Sequence, residues 1–185
     1  MIFLHIQASQ EAKDRASEGL AGYRIGRAYV LLNEADRAIS FLDDYHSICK
    51  ELEDLEGEGA ACSALAAAYQ SLASIDNAVQ YLEQFLEIAT KTDNLIAQGE
   101  ACCNLGVIYN QRGEFAKAVQ LFEKNFEIAR STVVSGKGDR SLVDTARVNL
   151  GMARGNAQMQ TYMNIINHDL TTLLRWKNRR VKFEA

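Results

Sequence analysis

Shifted by 40 positions, the sequence lays Gly19 on Gly59 and Gly99, Ala21 on Ala61 and Ala101, Tyr29 on Tyr69 and Tyr109, Ala38 on Ala78 and Ala118, and Ile48 on Ile88 and Ile128. Ile25, Leu65 and Leu105 each precede a small residue (Gly26, Ala66, Gly106), and Leu42, Leu82 and Phe122 share a further apolar position. Small, aromatic and aliphatic residues keep one interval only when one packing arrangement is repeated. The chain is thereby restricted to a row of like units, each resting on its neighbours.

Within a unit the apolar residues recur at helical spacing. Leu105, Ile108 and Tyr109 mark a first helix, and Ala118, Leu121, Phe122, Phe126 and Ile128 a second. The break between them falls at Gln111 to Glu114, where Gly113 can enter the left-handed region without a Cβ penalty. Each unit therefore reads as a helical hairpin. The absence of proline and the wealth of Ala, Leu, Glu and Gln agree with helix throughout, and 48% hydrophobic residues suffice for a continuous core.

The Leu-Gly step at 105–106, Tyr109 one turn later and Ala118 in the second helix resemble the tetratricopeptide repeat. The interval exceeds that family's usual ~34 residues, and is similar to that of the longer-helix branch of Leu-Gly-Asn-rich spindle-orientation adaptors. The usual proline closing the second helix is missing. The resemblance implies an all-α, right-handed superhelical array of hairpins ending in a capping helix, with about nine helices in all. Repeats are expected at 17–56, 57–96 and 97–141, the last with an extended loop at 131–141. Residues 1–16 are expected to form a helix remnant or cap through Ile2, Phe3, Leu4 and Ile6. Allowing five extra residues in STVVSGKGDRS places Leu150-Gly151 on Leu105-Gly106 and makes 142–185 a degenerate fourth copy with a basic capping helix. There Arg154 replaces Tyr109 and Met163 replaces Ala118.

No run approaches the roughly 20 apolar residues of a membrane span, and the opening segment lacks a secretory pattern, so the expectation is a cytoplasmic protein with reduced thiols. Removing residues 175–185 leaves 15 basic and 23 acidic side chains, net −8, against −4 for the whole chain. That acidic body argues against nucleic acid and membrane partners, despite the basic end at Arg175, Lys177, Arg179, Arg180 and Lys182.

Chemistry has little foothold. Cys49, Cys62 and Cys102 occupy small-residue packing positions, and Cys102 and Cys103 diverge by about 100° on a helix, so they cannot jointly grip a metal. His5, His46 and His168 lie in separate copies without an acid at ligand spacing. SGKGD lacks the upstream glycine and the hydroxyl residue of a phosphate loop. No nucleophile, base and orienting acid converge, and neither enzyme, metal nor cofactor is expected.

The resemblance implies that the first helices line a concave groove holding an extended peptide or a helix. The groove positions are Tyr23, Arg24, Arg27, Gln70, Cys103, Asn104, Val107, Asn110 and Asn149. The carboxylate clamp of chaperone-binding members is not reproduced, since Ser63 and Ala67, or Tyr23 and Arg27, stand in its leading places and Glu100 at another. Arg24 and Arg27 would favour an acidic partner, and Asn104 and Asn149 one whose backbone needs both donor and acceptor. The closing LLRWKNRR resembles, more weakly, a ciliary member of the family, implying an axonemal or intraflagellar-transport adaptor. A peptide-capturing adaptor and a permanent structural subunit of a larger complex, packed through its convex face and ends, both stay open.

Overall fold

The computed structural model describes residues 15–136 and 138–179, except for the side chains of Leu170, Trp176 and Arg179. The described residues form eight helices and no strand: α1 (Arg15–Leu31), α2 (Ala35–Glu51), α3 (Leu55–Ser71), α4 (Ile75–Lys91), α5 (Leu95–Gln111), α6 (Phe115–Val134), α7 (Arg140–His168) and α8 (Leu170–Arg179). Consecutive helices pack as hairpins α1–α2, α3–α4 and α5–α6, each hairpin docking on the next to give an all-α superhelical array.

The repeating small residues mark where paired helices come closest. A Cβ on Gly26 would stand 2.7 Å from Leu42 Cγ, and one on Gly106 would stand 2.8 Å from Phe122 Cε1. Ala38, Ala78 and Ala118 are fully buried on the companion helices, and so are Leu42 on α2 and Leu65 on α3. Burying each such leucine contributes about 1.5 to 3 kcal/mol against its exposed state. Within the second hairpin the Tyr69 and Tyr81 rings stack with centroids 5.5 Å apart, and between hairpins the Tyr81 hydroxyl donates to Asp43 Oδ1 at 3.3 Å.

Reversals recur every 20 residues through one device. Asn33, Ala73 and Gly113 within hairpins, and Glu53 and Asp93 between them, all have positive φ. The following amide then reaches back to the helix end, as Glu114 N donates to Tyr109 O at 2.9 Å and Asn94 N to Ala89 O at 3.0 Å. The next helix is capped by Asp54 and Asn94, whose side chains accept from Gly57 N and Ala97 N. Left-handed residues and caps thus take over the role of the missing proline.

Two expectations need correction. Residues 131–134 are helical, so the loop expected over 131–141 shortens to 135–139, with Gly136 at φ 72°. The fourth hairpin does not form. Where Gln111 to Gly113 turn, the corresponding Asn156 to Gln158 stay inside α7, which runs unbroken for 29 residues, and Met163 lies on that same helix. Arg147 and Arg154 have replaced Cys102 and Tyr109, removing the apolar face that a returning helix would bury. The described residues hold eight of the about nine helices expected, and the remaining one falls on 1–16. The cap expected at 1–16 lies outside the described residues except for its last two, which already belong to α1.

Candidate functional site

The first helices α1, α3, α5 and α7 follow one another along the array, and polar contacts tie α3 to α5 and α5 to α7. The Ser63 hydroxyl donates to Glu100 Oε1 at 3.2 Å, Asn149 Nδ2 to Cys103 Sγ at 3.5 Å, and Asn156 Nδ2 to Asn110 Oδ1 at 3.0 Å. Two cavities open along this face. The first, about 540 Å³, is edged by Tyr23 and Arg27 of α1, Glu56, Ser63 and Ala67 of α3, and Glu100 of α5. The second, about 340 Å³, is lined by Ile96, Cys103 and Asn104 of α5, Asn125 and Thr132 of α6, and Leu142 of α7. Glu100 borders both.

The expected groove residues divide between these places. Tyr23 packs on Tyr45 with ring centroids 4.8 Å apart, and the Arg27 guanidinium lies over Tyr23, 5.7 Å from its centroid, which presents a propped cation to the first cavity. Cys103 and Asn104 line the second. Arg24, Gln70 and Val107 are exposed but edge neither cavity. Asn149 and Asn110 are half-buried and already engaged, Asn149 with Cys103 and Asn110 with Asn156. Of the basic end, Arg175 and Lys177 are exposed on α8, whereas Arg180 and Lys182 lie outside the described residues.

The second cavity was not foreseen, although its signal is in the repeat. Tyr45 and Phe85 place rings against Gly19 and Gly59, but the third copy has Asn125. The amide donates to Gly99 O at 2.7 Å and leaves the volume of a ring unfilled. Exposed Leu95, Ile96 and Leu142 form an apolar lip. Such a recess suits an aliphatic or aromatic anchor, with Asn104 and Glu100 as polar guides.

A second unforeseen feature is a polar cluster beneath this face. His46 Nε2 lies 3.5 Å from Cys62 Sγ and 3.7 Å from Glu58 Oε1, so the acid absent from the linear pattern comes from the next hairpin. Cys62 is fully buried, and burial, aided by the Glu58 carboxylate, pushes its thiol up to about 12. A neutral thiol without solvent contact is not a nucleophile. Burial pushes the His46 imidazole below its ordinary value, helped by Lys50 and opposed by Glu58 and Asp43. Burial also raises the Cys103 thiol, against the Asn149 hydrogen bond. Among the described residues, no three His, Cys, Asp or Glu side chains group so as to hold a metal ion, and no helix is long and apolar enough to cross a membrane.

Residues 58–131, which carry most of both cavities, match the tetratricopeptide repeat family model. Residues 58–131 carry tetratricopeptide repeats. Solved structures with the same fold include a Podosopora anserina putative kinesin light chain with nearly identical TPR-like repeats, 22% identical, covering 97% of this chain and 86% of that one at a TM-score of 0.65. A single-substitution variant of that protein is 21% identical at a TM-score of 0.67, with the same coverage. Aspartyl phosphate phosphatase F from Bacillus subtilis is 14% identical over 89% of this chain at a TM-score of 0.64, and the chain spans 44% of that protein's length. No curated protein sequence matches. Repeats of this kind make the chain a scaffold for protein–protein interaction.

Proposed function

We propose that the chain is a non-catalytic adaptor whose first-helix face captures an extended peptide, anchored by an apolar side chain in the 340 Å³ cavity. The observation that carries this reading is the cavity itself, an apolar recess opened by Asn125 where the other copies place a ring. From there the peptide runs past Glu100 to the first cavity, where Arg27 holds an acidic or amide side chain. Asn104 meets the peptide backbone. The test is recovery of a partner by cross-linking from native extract, followed by titration of the captured segment. Ile96→Glu combined with Asn104→Ala should weaken binding while the melting midpoint holds, because both side chains lie on the surface of α5. Affinity unchanged by this pair and by Arg27→Glu removes the groove from consideration.

A second reading, a subunit permanently packed in a larger complex, draws on apolar turn residues: Leu32 is 67% and Leu72 40% exposed, and neither lines a cavity of the groove. It requires that Leu32→Lys with Leu72→Lys abolish incorporation into the complex while leaving peptide capture intact. The axonemal or intraflagellar-transport setting rests on the LLRWKNRR resemblance, and imaging of the tagged chain in ciliated cells, with no signal along the cilium, would dispose of it.

A further inference from the structure

In the three complete hairpins, the stripe of the first helix that meets its companion is small or apolar and covered. On α5 that stripe is Gly99, Cys102 and Gly106, all buried, with Ile128 over Gly99 and Phe122 over Gly106. The same register on α7 reads Asp144, Arg147 and Gly151, preceded by Arg140 and followed by Arg154. Intervals of four and three residues keep these five on one face of the helix. All five are exposed, and a Cβ on Gly151 would meet nothing within 4 Å. Among the described residues no helix occupies the position beside α7 that α2, α4 and α6 occupy beside α1, α3 and α5.

Charge says what fits there. Residues 140–179 carry six Lys or Arg against two Asp, net +4, whereas residues 1–139 carry 12 against 21, net −9. Where α6 meets α7, Arg130, Arg140, Asp144 and Arg147 line a cavity of about 420 Å³ together with Val133, Val134 and Val143. Arg147 is paired with Asp144 at 2.9 Å, and Arg154 with Glu123 at 2.6 Å. Arg130 lies over the Phe126 ring, 5.7 Å from its centroid. A second copy meeting this face with its own would set arginine against arginine, which favours a partner of opposite charge.

We propose that the exposed face of α7 is a docking site for an acidic amphipathic helix of a partner protein, seated in the place of the missing companion helix. A small or aliphatic residue of that helix lies on Gly151, and its carboxylates engage Arg130, Arg140 and Arg147. The site lies on another face of α7 from the one holding Asn149, so it is spatially distinct from the proposed groove.

The probe is a fluorescein-labelled peptide of about 20 residues, long enough to be partly helical, with Leu and Ala on one face and Glu on its flanks. One control replaces Glu by Lys, and another scrambles the order. The Glu peptide should bind the full chain by fluorescence anisotropy, and both controls should fail. Gly151→Leu has open space in the free protein, so its melting midpoint should not fall, yet it should weaken the peptide by at least about tenfold by blocking close approach. Arg140→Glu with Arg147→Glu should abolish binding, and Asn104→Ala should leave it unchanged, which separates this site from the groove. Absence of binding by the Glu peptide, equal binding of the scrambled form, or indifference to Gly151→Leu overturns the proposal. A lowered melting midpoint for Gly151→Leu also overturns it, and self-association in ultracentrifugation that Gly151→Leu removes assigns the face to a second copy instead.

Discussion

Gly106 and Gly151 occupy equivalent positions in α5 and α7, yet alanine at the two should act in opposite directions. In a helix interior, Gly→Ala contributes about 0.8 to 1 kcal/mol by reducing the freedom of the unfolded chain. At Gly151 nothing opposes that gain, since a Cβ there meets open space. At Gly106 it would stand 2.8 Å from Phe122 Cε1 and 2.9 Å from Cζ, and Phe122 is only 3% exposed, so the ring has little room to retreat. Overpacking of that kind costs about 1 to 3 kcal/mol, leaving a net loss of about 0 to 2 kcal/mol at Gly106. For a chain this long, each kcal/mol moves the thermal midpoint by about 2 to 4 °C. Circular dichroism melts should show Gly151→Ala above wild type and Gly106→Ala at or below it. A Gly106→Ala midpoint raised as far as that of Gly151→Ala would refute the α5–α6 contact. A fall for Gly151→Ala would show that α7 is covered after all.

Ala73 holds a φ of 55° where Gly113 serves in the next hairpin, and a non-glycine residue there costs about 1 kcal/mol or more; Ala73→Gly should therefore raise the urea midpoint, and a decrease would contradict the left-handed turn. His46 has a depressed pKa, so the folded state resists a proton that the unfolded chain accepts below about pH 6.5. Stability present above that pH is lost on acidification, and His46→Gln should remove most of the loss that sets in below about pH 6.5; Asp43, whose carboxyl is raised by burial, works in the opposite sense at lower pH. Among the thiols, Cys103 should be alkylated before Cys49, Cys62 and Cys102, because it alone is not fully enclosed; peptide mapping by mass spectrometry that finds Cys102 labelled first would reverse the assignment of the two faces of α5.

The hairpins were legible in the sequence because each depends on a contact that tolerates few residue types. Tyr29, Tyr69 and Tyr109 precede the turns, and Ala38, Ala78 and Ala118 sit where two helices touch, so selection for close packing writes the period directly. The inter-hairpin turns were harder to read, because Glu53 and Asp93 adopt left-handed conformations that side-chain type does not announce. The unbroken α7 escaped notice because Leu150-Gly151 preserves the local pattern, whereas continuity depends on what Arg147 and Arg154 no longer offer a companion. The cavity at Asn125 is visible in the register once Tyr45 and Phe85 are aligned with it. Its enclosure by Thr132 and Leu142 depends on the path of residues 135–139, which no periodicity governs.

The length of α7 also gives the array a lever. Asn156 ties α7 to α5, and 12 further residues reach His168, a length of about 18 Å at 1.5 Å per residue. Its root, at Leu142 and Thr145, forms one wall of the 340 Å³ cavity. A side chain wedged there that tilts the helix by about 10° sweeps its tip through about 3 Å. A segment held in the proposed groove would thus shift α8 and its cationic side chains, linking one end of the molecule mechanically to its middle.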